Sequence, residues 1–171
     1  MNGIQLVRLP SERTEEQISA LQGIFAASPD YCMRVIGHVP GIDEMRGPAL
    51  PPGKTSKDDY FFGIYLAAQI IGCADLLRGY PDEKTAFLGL LLISEAYQNK
   101  GFGVRACAEL EKIVLTWPEI SVIRGSVVRS NDIVVSFWER MGAVDTGLRR
   151  PYAAGDVASE SIIFEKKLIR E

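Results

Sequence analysis

The first third of the chain combines two hydrophobic periodicities. Residues 3–9 alternate apolar and polar side chains, which predicts a strand. Ile18, Leu21, Ile24 and Phe25 recur at helical spacing, and they predict a helix over 10–28 that begins at Ser11 as its N-cap. A second short helix is predicted over 29–37. Residues 38–59 are rich in proline and glycine and show no period, which predicts a long loop of the kind that often carries function.

The rest of the chain alternates strand and helix patterns. Residues 60–80 predict two strands around a tight turn at 67–69. Residues 86–93 are an uninterrupted apolar run, which predicts a central strand buried on both faces. Gly89 within it indicates either a β-bulge or the close approach of another group. The remaining predicted elements are a helix with Ala106, Cys107, Leu110, Ile113 and Val114 on one face, a strand over 120–128, a helix over 130–142 and two closing strands.

Composition restricts the classes of protein that fit these elements. The chain has 171 residues, which suits one α/β domain over 1–171 with a full core, and its net charge of −3 argues against a nucleic-acid partner. Its three cysteines, Cys32, Cys73 and Cys107, are too widely spaced for a disulfide framework, and no metal site is predicted. No signal segment or membrane-length apolar run is present, so a cytoplasmic protein without a membrane partner is expected.

The segment YQNKGFGVRA, residues 97–106, carries the clearest chemical signal. It places two glycines beside amide and cationic side chains at the start of a predicted helix, an arrangement that binds phosphate. Gly101, Gly103 and Ala106 also spell the dinucleotide pattern G-x-G-x-x-A. However, seven residues, 94–100, separate Gly101 from the preceding strand, and the next strand ends without an acidic residue. An NADP-dependent reductase is therefore the weakest of the alternatives.

Two sequence blocks resemble one family. Residues 98–103 match the Q/R-x-x-G-x-G/A motif of the GNAT superfamily of N-acetyltransferases. The second family block, N-x-x-A-x-x-F-Y-x-x-x-G-F, is similar to residues 131–143, with matches or close substitutes at Asn131, Val134, Phe137, Trp138, Gly142 and Ala143. The resemblance implies a GNAT-like α/β domain whose mixed, mostly antiparallel sheet of six to seven strands is flanked by helices on both faces. It further implies transfer of the acetyl group of acetyl-CoA to a primary amine, of a small molecule or a peptide, by direct attack in a ternary complex. A homodimer is left open.

The resemblance also assigns residues to acetyl-CoA. The pyrophosphate is expected at the loop 98–104, and the pantetheine arm is expected to pair with residues 91–93 like an added strand. The main-chain N–H of Ile93 is then the expected donor to the thioester oxyanion. Asn131 corresponds to a family asparagine that bonds the cofactor, although it suits a helix N-cap equally well. The predicted cofactor set is Leu91, Leu92, Ile93, Gln98, Asn99, Lys100, Gly101, Phe102, Gly103, Val104, Asn131, Phe137 and Trp138.

The general acid is a point where this sequence departs from the family. Trp138 occupies the position at which many members have a tyrosine acid, and an indole N–H does not serve as a proton donor of that kind. Tyr80, Tyr97 and Tyr152 are alternative acids. The departure keeps a second class of function in view, a non-catalytic acyl-CoA sensor.

The general base is also undecided by sequence. Phe87 occupies the position at which some relatives have a glutamate early in the central strand. Four other groups are candidates, acting directly or through water: Asp82 and Glu83 in the preceding turn, Asp75 in the earlier strand, and His38, the only histidine of the chain.

Overall fold

The described structure consists of seven strands, four α-helices and three short 3₁₀ helices. The computed structural model describes residues 3–47 and 50–170, so two residues of the predicted loop 38–59 lie outside the described part. In chain order the elements are β1 (Ile4–Leu9), α1 (Glu15–Ala26), α2 (Pro29–Val35), a 3₁₀ helix (Ile42–Met45), β2 (Asp59–Leu66), β3 (Gln69–Arg78), β4 (Thr85–Ile93), a 3₁₀ helix (Glu95–Tyr97), α3 (Phe102–Leu115), β5 (Val122–Val128), a 3₁₀ helix (Arg129–Val134), α4 (Val135–Arg140), β6 (Val144–Ala154) and β7 (Val157–Lys167).

The strands form one mixed sheet in the order β1-β2-β3-β4-β5-β7-β6. The β4–β5 pair is parallel, and each of the other neighbouring pairs is antiparallel. Successive residues of a strand point to opposite faces, so Phe61 and Cys73 join the core under α1 whereas Phe62 and Ala74 join the core under α3. The predicted α/β fold, with a mostly antiparallel sheet and helices on both faces, is confirmed.

The sheet also bears on the reductase alternative. Among the described strands β4 and β5 are the single parallel pair, whereas a dinucleotide-binding sheet is mostly parallel and doubly wound. The fold therefore gives the reductase no support. Separately, within residues 3–47 and 50–170, none of the helices combines the length and apolar character that crossing a bilayer requires.

The central strand β4 contains the predicted bulge. Asp75 of β3 lies opposite Leu90 and Leu76 lies opposite Leu88, so Gly89 is the extra residue between them. The prediction that both faces of this strand are buried is wrong at its middle, where Gly89 is exposed and Leu90 and Leu91 are half-buried. The pairing of β4 with β5 ends at Leu88, so the residues after it lie beside a gap instead of a neighbouring strand.

Helix α1 begins later than the sequence predicted. Thr14, not Ser11, is its N-cap: the Thr14 hydroxyl accepts the Gln17 N–H at 3.2 Å, and the Gln17 side-chain oxygen accepts the Thr14 N–H at 2.9 Å. This reciprocal capping box satisfies two main-chain donors at once. Ser11 has no corresponding Glu or Gln three residues later, since Thr14 itself holds that position.

The predicted helix over 130–142 is two shorter segments, and Asn131 is not a cap. Asn131 has a non-helical backbone inside the 3₁₀ helix, and no side-chain cap bond is made at either start. Its side-chain oxygen accepts a hydrogen bond from Arg34 Nε at 2.8 Å, which ties this segment to α2. A charged guanidinium is a stronger partner for a buried oxygen than a main-chain amide.

The capping box yields a stability prediction. We expect Thr14→Ala to lower the free energy of unfolding by about 1 kcal/mol. The reason is that one N-cap bond is lost at α1, the helix that packs on one face of the sheet. Ser11→Ala, a matched change three residues earlier, should leave it nearly unchanged. Urea unfolding of both variants measures the two values, and equal losses would contradict the assignment of the cap to Thr14.

Candidate active site

The parallel strands β4 and β5 part in the middle of the sheet. Their pairing runs from Thr85 opposite Val122 to Leu88 opposite Gly125, and both strands continue beyond it, β4 to Ile93 and β5 to Val128. Each strand keeps its other neighbour over the continuation, β4 with β3 and β5 with β7. A gap therefore opens between β4 and β5, beginning at Gly89.

The β4 edge of this gap presents main-chain groups. Beyond β4 the Ser94 N–H donates to the Ile71 carbonyl of β3 at 2.9 Å, and bonding direction alternates along an antiparallel ladder. The N–H groups of Ile93 and Leu91 therefore face the gap, and the Ile93 carbonyl on that side accepts the Gln98 side-chain amide at 2.7 Å. Leu92 faces β3 with its main chain, and its side chain belongs to the core under α1.

The glycine-rich turn lies near the Ile93 end of the gap, since the side chain of Gln98 donates to the Ile93 carbonyl. Asn99 and Gly101 adopt left-handed φ values of 59° and 81°, and α3 begins at Phe102. The first hydrogen bond of the helix runs from the Arg105 N–H to the Gly101 carbonyl at 3.1 Å. The preceding N–H groups, those of Phe102, Gly103 and Val104, are the donors that a helix start leaves without an intrahelical partner. They form a cluster of N–H groups at the positive end of the helix dipole.

Two other residues of the predicted phosphate loop are already engaged. The Gln98 N–H donates to the Glu95 carbonyl at 3.2 Å, so this group does not belong to the cluster of N–H donors as the sequence suggested. The Lys100 ammonium donates to the Ala96 carbonyl at 2.8 Å and lies over the Tyr97 ring, 5.6 Å from its centroid. Lys100 thus lies at the rim of the turn.

Helix α4 packs against the start of α3 and borders the gap. A Cβ placed on Gly103 would lie 3.4 Å from the Phe137 ring, so glycine at this position permits close packing of the two helices. Phe137 in turn contacts Trp138 edge to face, with centroids 5.1 Å apart. Trp138 lines a mainly apolar cavity of about 60 Å³ on the α3 side, which also touches Leu88 and Gly125, the last pair before the gap.

A second cavity, which we call the acidic cavity, opens on the opposite face of the sheet. It has a volume of about 300 Å³ and adjoins β4 at the bulge. The long loop 38–59 contributes to its wall, through its last part rather than through the 3₁₀ helix. Its lining residues are Leu50, Pro51, Asp59, Asp75, Leu77, Tyr80, Phe87 and Gly89.

One oxygen of each of two carboxylates in the acidic cavity lacks a hydrogen-bond partner among the described residues. Asp59 is only 6% exposed, and in the described part of the chain the Oδ1 atoms of both Asp59 and Asp75 are buried without a hydrogen-bond partner. Burial, together with a hydrogen bond and the charge of Asp59, raises the pKa of Asp75 to about 7, although the positive charge of Arg13 acts in the opposite direction. Asp75 is therefore the acid in the site whose pKa is most strongly raised.

Arg13 is a positively charged group that interacts with the two carboxylates. Burial lowers the pKa of Arg13, and the charges of Asp59 and Asp75 partly offset this effect. One of its nitrogens donates to the Met45 carbonyl at 2.9 Å, while its Nε and Nη2 are buried without a partner among the described residues. Sequence reasoning missed both Arg13 and Asp59, because each lies at the edge of an element where the hydrophobic pattern carries no information.

The other predicted bases lie outside both cavities. The His38 ring is 3.4 Å from a Glu44 oxygen and 3.7 Å from an Asp156 oxygen, near the β6–β7 turn. Asp82 accepts the Lys84 N–H at 2.9 Å and the Thr85 hydroxyl at 3.0 Å, and thereby shapes the turn before β4. Glu83 is exposed in the same turn. Among the candidate bases from the sequence, Asp75 is the one that lines the acidic cavity.

The three tyrosines proposed as acids are separated in space. Tyr80 lines the acidic cavity, with its ring edge to face against Phe87 at 5.7 Å. The Tyr152 hydroxyl donates to the Val35 carbonyl at 2.7 Å, which commits its proton to a main-chain acceptor. Tyr97 packs against Phe102 beside the glycine-rich turn. The structure therefore does not gather these tyrosines at one point.

Comparison with known proteins establishes the family. The family model described as the acetyltransferase (GNAT) family matches residues 37–143, more than half of the chain. The chain therefore belongs to the GNAT family of acetyltransferases, and by family it is an acyltransferase. No curated protein sequence matches the chain significantly.

Solved structures with the same fold include three informative relatives. An acetyltransferase from Thermus thermophilus is 20% identical, with a TM-score of 0.70 and coverage of 96% of this chain and 97% of that one. The PaiA N-acetyltransferase from Thermoplasma acidophilum, in complex with coenzyme A, is 20% identical, with a TM-score of 0.66 and coverage of 97% and 99%. A Salmonella typhimurium acetyl transferase that modifies the N-terminal serine of a 50S ribosomal subunit protein is 12% identical, with a TM-score of 0.74 and coverage of 99% and 97%.

The buried carboxyl of Asp75 yields a prediction about pH and stability. Its pKa of about 7 lies above the value of about 3.9 expected in the unfolded chain. The folded state therefore holds a proton that the unfolded state releases, so this stabilisation is complete below the unfolded pKa and is lost as the pH rises through 7. Asparagine resembles the protonated acid. We expect Asp75→Asn to stabilise the protein more at about pH 8 than at about pH 5.

Urea unfolding at both pH values measures this effect. Glu16→Gln is the matched control, because Glu16 is an exposed carboxylate on α1 and should show no such dependence. A stability difference for Asp75→Asn that is the same at both pH values would contradict the raised pKa.

Proposed function

We propose that the protein transfers the acetyl group of acetyl-CoA to a primary amine by direct attack in a ternary complex. The observation that carries the proposal is the gap between β4 and β5, which ends at the glycine-rich turn. One extended ligand could contact both, with its phosphates at the turn and its arm in the gap. Membership of the GNAT family supports acetyl-CoA as the donor, as does the relative crystallised with coenzyme A.

The pyrophosphate is assigned to the start of α3. The N–H groups of Phe102, Gly103 and Val104 supply donors, and the helix dipole supplies a positive potential. Gly101 offers a main chain that a phosphate can approach closely, since an added Cβ there would meet nothing within 4 Å. Lys100 can add charge by leaving the Ala96 carbonyl, and Asn99 contributes to the rim. Phe137 holds the turn in place from below.

The pantetheine arm is assigned to the edge of β4. In strand addition the arm amides bond main-chain groups that face the gap, here those of Leu91 and Ile93. A strand rises about 3.3 Å per residue, so Leu91 lies about 7 Å from Gly89 and Ile93 about 13 Å. The phosphates are at the far end of the gap, so the thioester must lie near Gly89. We therefore assign the oxyanion bond to the Leu91 N–H rather than to the Ile93 N–H. The main chain of Ile93 is assigned to the pantetheine arm.

The leaving thiolate does not require a strong acid. Judged by cysteine, a thiol has a pKa of about 8.5, so a thiolate can depart unprotonated near neutral pH. Trp138 in place of the family tyrosine is compatible with this chemistry, and its ring closes the α3 side of the gap. The Asn131 side-chain oxygen is bonded to Arg34, so we assign the cofactor bond to its amide nitrogen.

The pyrophosphate assignment yields a prediction in which stability and affinity move apart. Val104 is 46% exposed in the first turn of α3, which contains no acidic residue. A glutamate at that position should interact favourably with the positive end of the helix dipole, but its negative charge should repel the pyrophosphate. We expect Val104→Glu to preserve or raise the melting temperature and to weaken acetyl-CoA binding about tenfold or more, a loss of about 1.4 kcal/mol.

Calorimetric titration with acetyl-CoA measures that loss. Ala108→Glu is the matched control, since Ala108 is exposed one turn further along the same helix. It adds the same charge away from the N-terminal donors and should bind acetyl-CoA normally. Equal affinity of both variants and the unmodified protein would contradict the assignment.

Trp138 yields a second prediction. If protonation of the leaving group does not limit the rate, Trp138→Phe should retain turnover within a factor of about ten. It should also lose stability because the smaller ring leaves space beside Phe137 and the apolar cavity. Steady-state kinetics and thermal unfolding measure the two effects. Loss of turnover in a variant that is folded and still binds acetyl-CoA would show that the indole has a chemical role.

The acetyl-transfer function itself is tested by the release of the CoA thiol from acetyl-CoA in the presence of a panel of primary amines. Thiol release that depends on the amine, with the acetylated amine identified by mass spectrometry, would support the proposal. Acetyl-CoA binding without release for any amine would instead favour the acyl-CoA sensor. Binding of NADPH in preference to acetyl-CoA would restore the reductase alternative.

A further inference from the structure

We propose that the acidic cavity is the acceptor site, that it binds the ammonium end of a compact, unbranched primary amine, and that Asp75 takes the proton which the amine must lose. The chemical part of this inference rests on the proposed acetyl transfer. The binding part rests on the cavity alone. Three features of the cavity carry it: its unpartnered oxygens, its charge and its position.

The unpartnered oxygens require hydrogen-bond donors. The Asp59 and Asp75 Oδ1 atoms are buried and have no partner among the described residues, which is costly in a folded protein. A primary ammonium carries three N–H donors on one small group and can therefore serve both oxygens at once. The remaining walls are mostly apolar, with Leu50, Leu77 and Phe87, and suit an alkyl chain.

The charge of the cavity favours a cation. Asp59 and Asp75 contribute two negative charges when both are ionised, and Arg13 contributes one positive charge beside them. No ion pair within 4.0 Å joins Arg13 to either acid in the described part of the chain, so Arg13 reduces their charge without occupying the cavity. A monocation neutralises the remainder, whereas an anion would be repelled.

The position of the cavity places the amine beside the thioester. Gly89 lines the cavity and is also the β4 residue at which the gap begins. A Cβ at Gly89 would lie 3.5 Å from Asp75 Oδ2, so the absence of a side chain leaves the path from the carboxylate to the gap open. The acceptor therefore approaches from the face opposite to Trp138.

The proton transfers balance as follows. The ammonium gives one proton to the Asp75 carboxylate and becomes a neutral amine. The amine nitrogen attacks the thioester carbonyl, the C–N bond forms, and the C–S bond breaks with its electrons remaining on sulfur. The second proton leaves the nitrogen and protonates the thiolate, and Asp75 releases its own proton to solvent. The products are the acetamide, the CoA thiol and one proton.

The size of the cavity limits the body of the amine. About 300 Å³ lies at the lower end of the range of small-molecule sites, which admits a short alkyl chain but not a bulky polycyclic amine. The same alkylammonium chemistry is present in a free amine and in a lysine side chain. The two sources are distinguished by comparing n-butylamine with a short peptide that contains one lysine.

The first experiment measures binding without turnover. Calorimetric titration with n-butylamine hydrochloride at about pH 8 is compared with n-butanol, the neutral analogue, and with butyrate, the anionic one. We expect binding of n-butylammonium to the unmodified protein and to Glu16→Gln. We expect at least about tenfold weaker binding to Asp75→Asn and to Asp59→Asn, which each lose one charged acceptor. Acetyl-CoA affinity reports that both variants are folded.

The second experiment measures turnover with acetyl-CoA. We expect Asp75→Asn to reduce kcat by roughly 10²–10⁴-fold, the usual contribution of a positioned general base. In the unmodified protein kcat/KM should rise through an inflection near pH 7, and this inflection should be absent in Asp75→Asn. The titratable groups that interact with Asp75 are Asp59 from β2, Arg13 before α1 and Cys73 on the same strand. Tyr80 lines the same cavity. Faster turnover of n-butylamine than of the peptide assigns the site to free amines, and the reverse assigns it to lysine.

The outcomes separate this inference from the proposed function. Amine binding that needs both acids, without acetyl transfer to any amine, would contradict the proposed function but support the cation site. Acetyl transfer that is unchanged in Asp75→Asn and Asp59→Asn would leave the function standing and overturn the acceptor site. Equal binding of n-butanol and n-butylammonium would overturn the role of charge.

Discussion

The candidate site depends on the loss of pairing between β4 and β5 after Leu88 and Gly125. Main-chain N–H and carbonyl groups inside a fold need hydrogen-bond partners. Two strand edges that separate near the centre of a sheet therefore expose groups that another molecule or segment must bond. The bulge at Gly89 explains where the separation begins, because a bulge bends its strand and increases the local twist. Beyond that point β4 follows β3 and β5 follows β7.

The separation leaves the two faces of the gap with different chemistry. The α3 side is closed by Trp138 and an apolar cavity, and the α1 side opens into the acidic cavity. The far end of the gap meets the positive start of α3. The positive end of a helix dipole and an acidic side are thus connected by one path along β4. This layout matches a donor with phosphates at one end and a basic acceptor that approaches the other.

The buried carboxylates are hard to explain by stability alone. An acid whose pKa is raised mainly by burial costs folding free energy at neutral pH, and apolar residues in its place would cost nothing of this kind. Among the described residues, neither Asp59 nor Asp75 has an ion pair within 4.0 Å that would offset the cost, although the charge of Arg13 moderates it. Groups that a fold keeps against its own stability are most readily understood as parts of a functional site.

The local sequence determined most of the elements and the phosphate end of the site. Apolar periodicity located the strands and helices because each reflects a single buried face, and the glycine-rich turn was recognisable because left-handed backbone at Gly101 and an uncapped helix start are local properties. The tertiary structure alone decided the acceptor side. Arg13, Asp59 and Asp75 come from three separate segments. The β2–β3 register, in which Asp59 lies opposite Leu77 and Asp75 lies opposite Phe61, brings the two acids to one face, and Arg13 approaches from the segment before α1. Short-range patterns do not encode such long-range contacts, so His38, Asp82 and Asp75 looked equivalent in sequence and differ only in the folded chain.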